Sequence, residues 1–282
     1  MNDKLFIKLQ HWVPQHGLSR LIGAIASSNN SLIKNTFIKW FIKRYQVDMA
    51  LAAEENPRAY ASFNDFFTRA LKPNVRPICK EPIAIVCPAD GAISQLGKIV
   101  NGRIFQAKGQ DYSLEELLGD SAIAQEFIDG DFATVYLSPK DYHRVHMPYG
   151  GKLRAMVSIP GDLFSVNTVT AENVPRLFSR NERVVAIFDT DIGPMAIVLV
   201  GAMIVAGIET VWDGQLAPMG SREIEMSLYP YQNILLEKGA EMGRFKLGST
   251  AIVLFAKDKI TWETQFGAGT ATRLGVKLAE KK

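Results

Sequence analysis

The stretch Lys238-Gly239-Ala240-Glu241-Met242-Gly243-Arg244-Phe245-Lys246-Leu247-Gly248-Ser249-Thr250-Ala251-Ile252-Val253-Leu254-Phe255 passes from a glycine- and charge-rich half to an unbroken apolar run. The run is short and β-branched, as a buried strand requires. The Gly-Ser peptide at its entrance has two readings. As a turn, Gly accepts positive φ and Ser bonds nearby backbone. As a reactive bond, the Ser249 hydroxyl attacks the carbonyl of Gly248.

Working outward, the same texture recurs. Ile83–Val86, Ala133–Leu137, Met156–Ile159, Val184–Phe188 and Ala196–Val200 are short apolar runs separated by Gly, Pro, Asp and Asn. That spacing predicts an antiparallel-rich core with few long helices. Ser113–Leu118 and Ala122–Ile128 are the expected helices within it. Upstream, Leu5, Leu9, Trp12 and Val13, then Leu21, Ile22 and Ile25, then Ile33, Phe37, Trp40 and Phe41 recur at helical spacing, with Ser31 a candidate N-cap. Between the two textures, residues 47–80 read as a bridge. Asp48–Glu55 is helix-like, Asn56-Pro57 interrupts it, and Ser62–Leu71 is a short Phe-rich helix. The expected fold is α+β: a helical region over 1–80 followed by one β-rich, mainly antiparallel domain over 81–282.

Composition narrows the classes. Of 282 residues, 47% are hydrophobic and 22% charged, which suits a folded chain with a sizeable core. Cys79 and Cys87 belong to no CxxC or Cys/His cluster, which argues against a structural zinc site or a disulfide framework. No apolar segment with a small-residue cleavage site opens the chain, so the expected place is the cytosol or the cytosolic side of a membrane. Net charge is uneven. Residues 1–46 hold seven bases (Lys4, Lys8, Arg20, Lys34, Lys39, Lys43, Arg44) against Asp3, or +6, which leaves −3 for the rest of a chain whose total is +3. Basic amphipathic helices with aromatic residues on the apolar side suit an anionic membrane surface; the plainer reading is a helical face packed on its own protein. The longest uncharged stretch, Gly193–Ile208, is too short to span a bilayer and contains Pro194. Two buried strands, Ala196–Val200 and Met203–Ile208, are expected there instead.

Three further stretches carry candidate chemistry. Pro88-Ala89-Asp90-Gly91 is either a turn or a carboxylate held at a strand end, where it can orient an imidazole. Ser138-Pro139-Lys140-Asp141-Tyr142-His143-Arg144-Val145-His146-Met147-Pro148 holds two of the four histidines, three residues apart. Without a third donor nearby they make a weak metal pair, and no metal is expected. Gly161-Asp162-Leu163-Phe164-Ser165-Val166-Asn167 is a turn suited to lining a pocket.

Read in order, these pieces resemble the phosphatidylserine decarboxylase family of the bacterial, membrane-associated type. The resemblance runs through Phe63–Arg69, Arg76-Pro77, Pro88–Gly91, Lys108-Gly109 with Tyr112-Ser113-Leu114, Tyr136–Pro148, Ser165–Asn167, Asn181–Arg183 and Lys238–Thr250, and no motif position departs from the family pattern. It implies a proenzyme that cuts itself between Gly248 and Ser249. Ser249 would attack, His146 would take its proton, and Asp90 would orient His146. β-Elimination would free a 248-residue chain and leave a pyruvoyl group, a covalent pyruvate cofactor, made from Ser249. The lipid's serine amine would form a Schiff base there, lose CO2, and be protonated by His143 to give phosphatidylethanolamine. The implied partners are phosphatidylserine in an anionic membrane and the chain's own pieces, 1–248 and 249–282, held as a heterodimer. A higher oligomer stays open, and nucleic acid is not expected. Localisation would be peripheral, on the cytoplasmic side of the cell membrane, and removing residues 1–46 would release the protein while leaving cutting intact. Two other readings use the same residues: a lipid-directed serine hydrolase built on Asp90, His146 and Ser249, and a non-catalytic phospholipid-binding protein. Against the first, Gly248-Ser249-Thr250-Ala251 is not a G-x-S-x-G elbow.

Overall fold

The computed structural model describes residues 3–203, 207–246 and 249–282. Helices α1 (Asp3–Trp12), α2 (Gln15–Ala26) and α3 (Ser31–Tyr45) form an N-terminal arm, followed by the five-residue α4 (Phe63–Phe67). The α3 cap is Asn30, whose Oδ1 accepts from the amides of Leu32 and Ile33, so the helix begins one residue from the expected Ser31 cap. Asp48–Glu55 is not the expected helix: only Met49–Leu51 makes a single tight turn, because Asp48 caps Ala50 and Ala52 leaves in extended backbone.

The strands in chain order are β1 (Ala84–Val86), β2 (Gly91–Lys98), β3 (Arg103–Ala107), β4 (Gln110–Ser113), β5 (Asp131–Leu137), β6 (Arg144–His146), β7 (Gly151–Ile159), β8 (Arg183–Thr190) and β9 (Gly193–Val200). They continue with β10 (Gly207–Thr210), β11 (Gly214–Gln215), β12 (Glu225–Leu228), β13 (Leu235–Leu236), β14 (Glu241–Lys246), β15 (Ser249–Phe255), β16 (Ile260–Trp262), β17 (Ala271–Thr272) and β18 (Lys277–Lys281). Helices α5 (Leu114–Leu118) and α6 (Ser121–Gln125) follow β4, and α7 (Thr168–Asn173) and α8 (Leu177–Arg180) precede β8. The expected Met203–Ile208 strand is realised in part: Gly207 and Ile208 open β10, and residues 204–206 lie outside the described ones.

One antiparallel sheet dominates, in the order β12-β7-β8-β9-β15-β5-β2-β17, with β13 beside β7. Its central strands read as continuous apolar runs because both faces are buried. From β15, Ala251, Val253 and Phe255 face one core while Ile252 and Leu254 face the other. The first core is closed by the small sheets β11-β10-β14-β6 and β1-β18-β16, through Val145, Ile208, Phe245, Ile85 and Leu278. The second is closed by the hairpin β3-β4 and by α5–α8, through Ile104, Tyr112, Leu117 and Phe178. A third, aromatic core joins α3 to α4: Phe37 stacks on Phe63 at 4.1 Å, and Phe41 meets Phe63 and Phe67 at 5.0 and 5.7 Å. The arm is pinned to the β-rich part by side chains. Gln10 and Gln15 accept from the amides of Ser165 and Leu163, and His16 Nε2 meets the Gly161 carbonyl at 3.0 Å. The Gly161–Asn167 turn therefore docks the arm.

Candidate active site

Two connections cross side by side between the large sheet and the small one. Strand β15 pairs with β5, and β14 pairs with β6. The chain thus leaves the large sheet at Leu137, turns through 138–143, and joins the small sheet beside β14, whose last residue is three positions before the first of β15. The seam is bracketed by the Ser249–Leu137 register pair and by the Phe245 amide, which donates to the His143 carbonyl at 3.0 Å.

The turn at 138–141 sets the histidines. Asp141 Oδ2 accepts from both the amide and the hydroxyl of Ser138. The Asp141 carbonyl is left to take the His143 Nδ1 proton at 2.8 Å. A carbonyl only accepts, so the His143 proton sits on Nδ1 and Nε2 carries the lone pair. That Nε2 is buried without a hydrogen-bond partner, and the ring lies 4.0 Å from Phe67 of α4. Burial, with the nearby Arg69 charge, pushes the His143 pKa down to about 3, so the imidazole is neutral.

His146 sits differently. Its Nδ1 donates to the Gly239 carbonyl at 2.8 Å, and its Nε2 faces the Tyr142 hydroxyl at 3.2 Å. Burial lifts Tyr142 to about 12, so the phenol keeps its proton and donates it to Nε2. Gly239 can aim its carbonyl this way because its backbone is left-handed, φ +81°. Burial also lowers the His146 pKa, but the Gly239 carbonyl and the charges of Glu241 and Asp90 oppose that, whereas Arg144 adds to it.

Asp90 is 7% exposed at the entrance to β2. Its carboxylate is gripped by Arg76, Nε to Oδ1 at 2.9 Å and Nη2 to Oδ2 at 2.6 Å, and takes the Leu274 amide at 2.9 Å. Gly91 lets the chain approach β5 there, since a Cβ would stand 2.2 Å from the Tyr136 carbonyl. Asp90 therefore reaches His146 as a nearby charge; the hydrogen bonds to the imidazole come from Gly239 and Tyr142.

Ser249 opens β15, fully buried, and its Oγ has no partner. Gly248 lies outside the described residues. The structure thus brings His143 and Ser249 to one seam and sets His146 and Asp90 along the strands leaving it. Sequence reading passed over Tyr142, Arg76 and Gly239 as functional groups. Their partners lie 4, 14 and 93 residues away, and no local pattern announces the last two. No group of three or more His, Cys, Asp or Glu that could hold a metal occurs among the described residues.

Comparison with known proteins agrees with this arrangement. The family model described as phosphatidylserine decarboxylase matches residues 63–280, and one described as PSD matches 5–46. A phosphatidylserine decarboxylase proenzyme of Pseudomonas putida is 60% identical over 284 residues, covering 99% of both chains. One from Acinetobacter baumannii is 56% identical over 278 residues, covering 99% of this chain and 96% of that one. With a family model matched over most of the chain and relatives matched along nearly all of its length, the chain belongs to the phosphatidylserine decarboxylase family.

Proposed function

We propose that this chain is made as a precursor that cuts itself between Gly248 and Ser249, and then decarboxylates phosphatidylserine to phosphatidylethanolamine with a pyruvoyl group derived from Ser249. The observation that carries the reading is the Ser249 hydroxyl, fully buried and unpartnered at the first position of β15. A buried hydroxyl that forgoes its hydrogen bonds is costly, and an imminent reaction accounts for it. The same burial suits a ketone at that position.

The base that takes the Ser249 proton must become an imidazolium, and the two histidines differ in how well they can. Burial disfavours a positive ring at His146, as Arg144 does, but the Gly239 carbonyl, Glu241 and Asp90 support one, with Asp90 itself fixed by Arg76. His143 has Arg69 nearby, which opposes it. His146 therefore takes the proton, with the Tyr142 hydroxyl yielding its Nε2. In the decarboxylation the unprotonated Nε2 of His143 would take the proton shed by the lipid's ammonium and return it to the carbon that loses CO2, the ring being fixed by the Asp141 carbonyl behind it and by Phe67 on its face. Once formed, the pyruvoyl group supplies a ketone for the lipid's amine and a carbonyl that receives the electron pair left by CO2. Burial at the seam excludes water from this chemistry.

The arm supplies the lipid surface. Leu5, Leu9, Trp12, Leu21, Ile25, Leu32, Ile33 and Trp40 are all exposed large hydrophobic residues within the basic first 46 residues. The bases and exposed aromatic residues of the arm suit the surface of an anionic bilayer, at the cytoplasmic face. None of the described helices is long and apolar enough to cross a membrane. The two pieces, 1–248 and 249–282, stay together as a heterodimer.

Intact mass spectrometry tests the core of this reading. The purified protein should show two chains broken before residue 249, the 34-residue one (282 − 248) lacking an N-terminal amine. Ser249→Ala should give one uncut chain, and His146→Ala should slow cutting by roughly 10²–10⁴. His143→Ala should cut normally yet release little CO2. A fully active, uncut chain with an ordinary serine would end the proposal.

A further inference from the structure

Arg69 leaves α4 beside the catalytic loop and is 4% exposed. Three consecutive residues there hold the loop: Phe67 covers the His143 ring, the Thr68 carbonyl takes Arg144 Nε at 2.8 Å, and Arg69 Nη2 donates to the Lys140 carbonyl at 3.2 Å. The Arg69 guanidinium also lies 5.4 Å from the Phe66 ring. Its remaining nitrogens, Nε and Nη1, are buried and have no acceptor.

That situation sets Arg69 apart. Arg183, equally buried at 3% exposed, gives its nitrogens to the carbonyls of Leu117, Asn181 and Glu116. Arg76 and Arg144, part-buried near the site, are paired with Asp90 and Glu241. Burying a cation without acceptors is expensive, and burial here already works against the Arg69 charge. A guanidinium kept in that state next to the site suits an acceptor that arrives from outside the chain. The substrate proposed above carries two candidates close to its amine, a carboxylate and a phosphodiester.

We propose that Arg69 is a binding residue for an anionic oxygen of the lipid headgroup, its free Nε and Nη1 completing their hydrogen bonds on the ligand. The inference rests on the phosphatidylserine reading. The two anions differ in consequence. A carboxylate about to leave as CO2 loses its charge, so a cation on it stabilises the ground state more than the transition state. A phosphodiester keeps its charge throughout, so a cation there lowers KM and leaves kcat alone.

The test uses the mature enzyme in mixed micelles, with Arg69→Gln and Arg69→Lys, both first checked for complete self-cutting by mass. Glycerophosphoserine, glycerophosphoethanolamine and free serine are the competing probes. Arg69→Gln should weaken inhibition by glycerophosphoserine about ten- to a hundredfold, the worth of hydrogen bonds to a charged group, and Arg69→Lys by less. An equal loss for glycerophosphoethanolamine, with kcat unchanged, assigns the phosphodiester. A loss confined to glycerophosphoserine and serine assigns the carboxylate. Unchanged inhibition by all three in a fully cut variant overturns the proposal. Should neither variant fold, the Arg69 Nε–H signal of the unsubstituted, 15N-labelled enzyme should move as glycerophosphoserine is added, and a signal that stays in place overturns it equally. If the unsubstituted enzyme releases no CO2 from phosphatidylserine, the substrate reading itself has failed, which is a different result.

Discussion

His143 and His146 stand three residues apart on one short strand and its approach, yet their rings meet opposite electrostatics. His143 is sealed under Phe67 with a lone cation nearby; His146 is ringed by a carbonyl, a phenol and two carboxylates. This has a consequence for stability. With a folded pKa of about 3 against roughly 6.5 in the unfolded chain, His143 stays neutral in the fold while the unfolded chain takes up a proton below about 6.5. Stability is therefore full above that pH and declines as pH falls toward 3, with His146 adding in the same direction. Between pH 7.5 and 5 the His143 share is about 2 kcal/mol. Urea midpoints of the uncut Ser249→Ala chain should fall across that range, and His143→Gln should flatten the slope. An unchanged slope would mean that His143 titrates in the fold as it does in the unfolded chain. The resemblance implied a separate role for each histidine. The contrast in their surroundings, Asp90 and Glu241 on one side and Arg69 on the other, comes from residues at or beside β2, β14 and α4 that no local pattern announces.

At the scale of elements, α3 and α4 have two faces with different duties. Ile38 and Phe41 are buried against Phe63, Phe66 and Phe67, and Phe67 in turn rests on His143. Removing residues 1–46 would therefore strip the packing behind the His143 ring, and it is a poorer test of membrane docking than the sequence suggested. Single changes on the outer face are cleaner. Trp12 is 87% exposed and Trp40 52%, so Trp12→Ala with Trp40→Ala should weaken binding to phosphatidylserine vesicles about tenfold or more and leave self-cutting at its normal extent. Vesicle flotation and intact mass read the two halves; unchanged flotation would remove the arm from the membrane. The strands that the sequence disclosed, β5, β8, β9 and β15, are those buried on both faces, where burial writes an unbroken apolar run. Those it hid are two to four residues long, as in β12, whose four residues all face solvent, or are longer, part-buried strands interrupted by Gly, polar or charged residues, as in β2, β3, β14 and β18. The same holds for Asp48–Glu55, where local helix preference yields to the chain's course toward Ala52 and its bridge with Leu71.

For the whole molecule, the proposed cut site lies between two strands that are each held on both sides. Strand β15 lies between β9 and β5 in the large sheet, and β14 lies between β10 and β6 in the small one. The described ladder pairs of β14 and β15 lie on either side of that joint, so a break there would leave both strands paired. Refolding would be harder for the severed protein. A precursor that has lost its structure can regain it by a unimolecular search, but the severed protein must first reunite a 34-residue peptide with its groove in the middle of a sheet. Recovery after denaturation should accordingly be slow and speed up with protein concentration for the mature enzyme, and be concentration-independent for Ser249→Ala, as dilution from urea would show. A cut molecule that unfolds completely would thus depend on a second encounter between its pieces before it could work again.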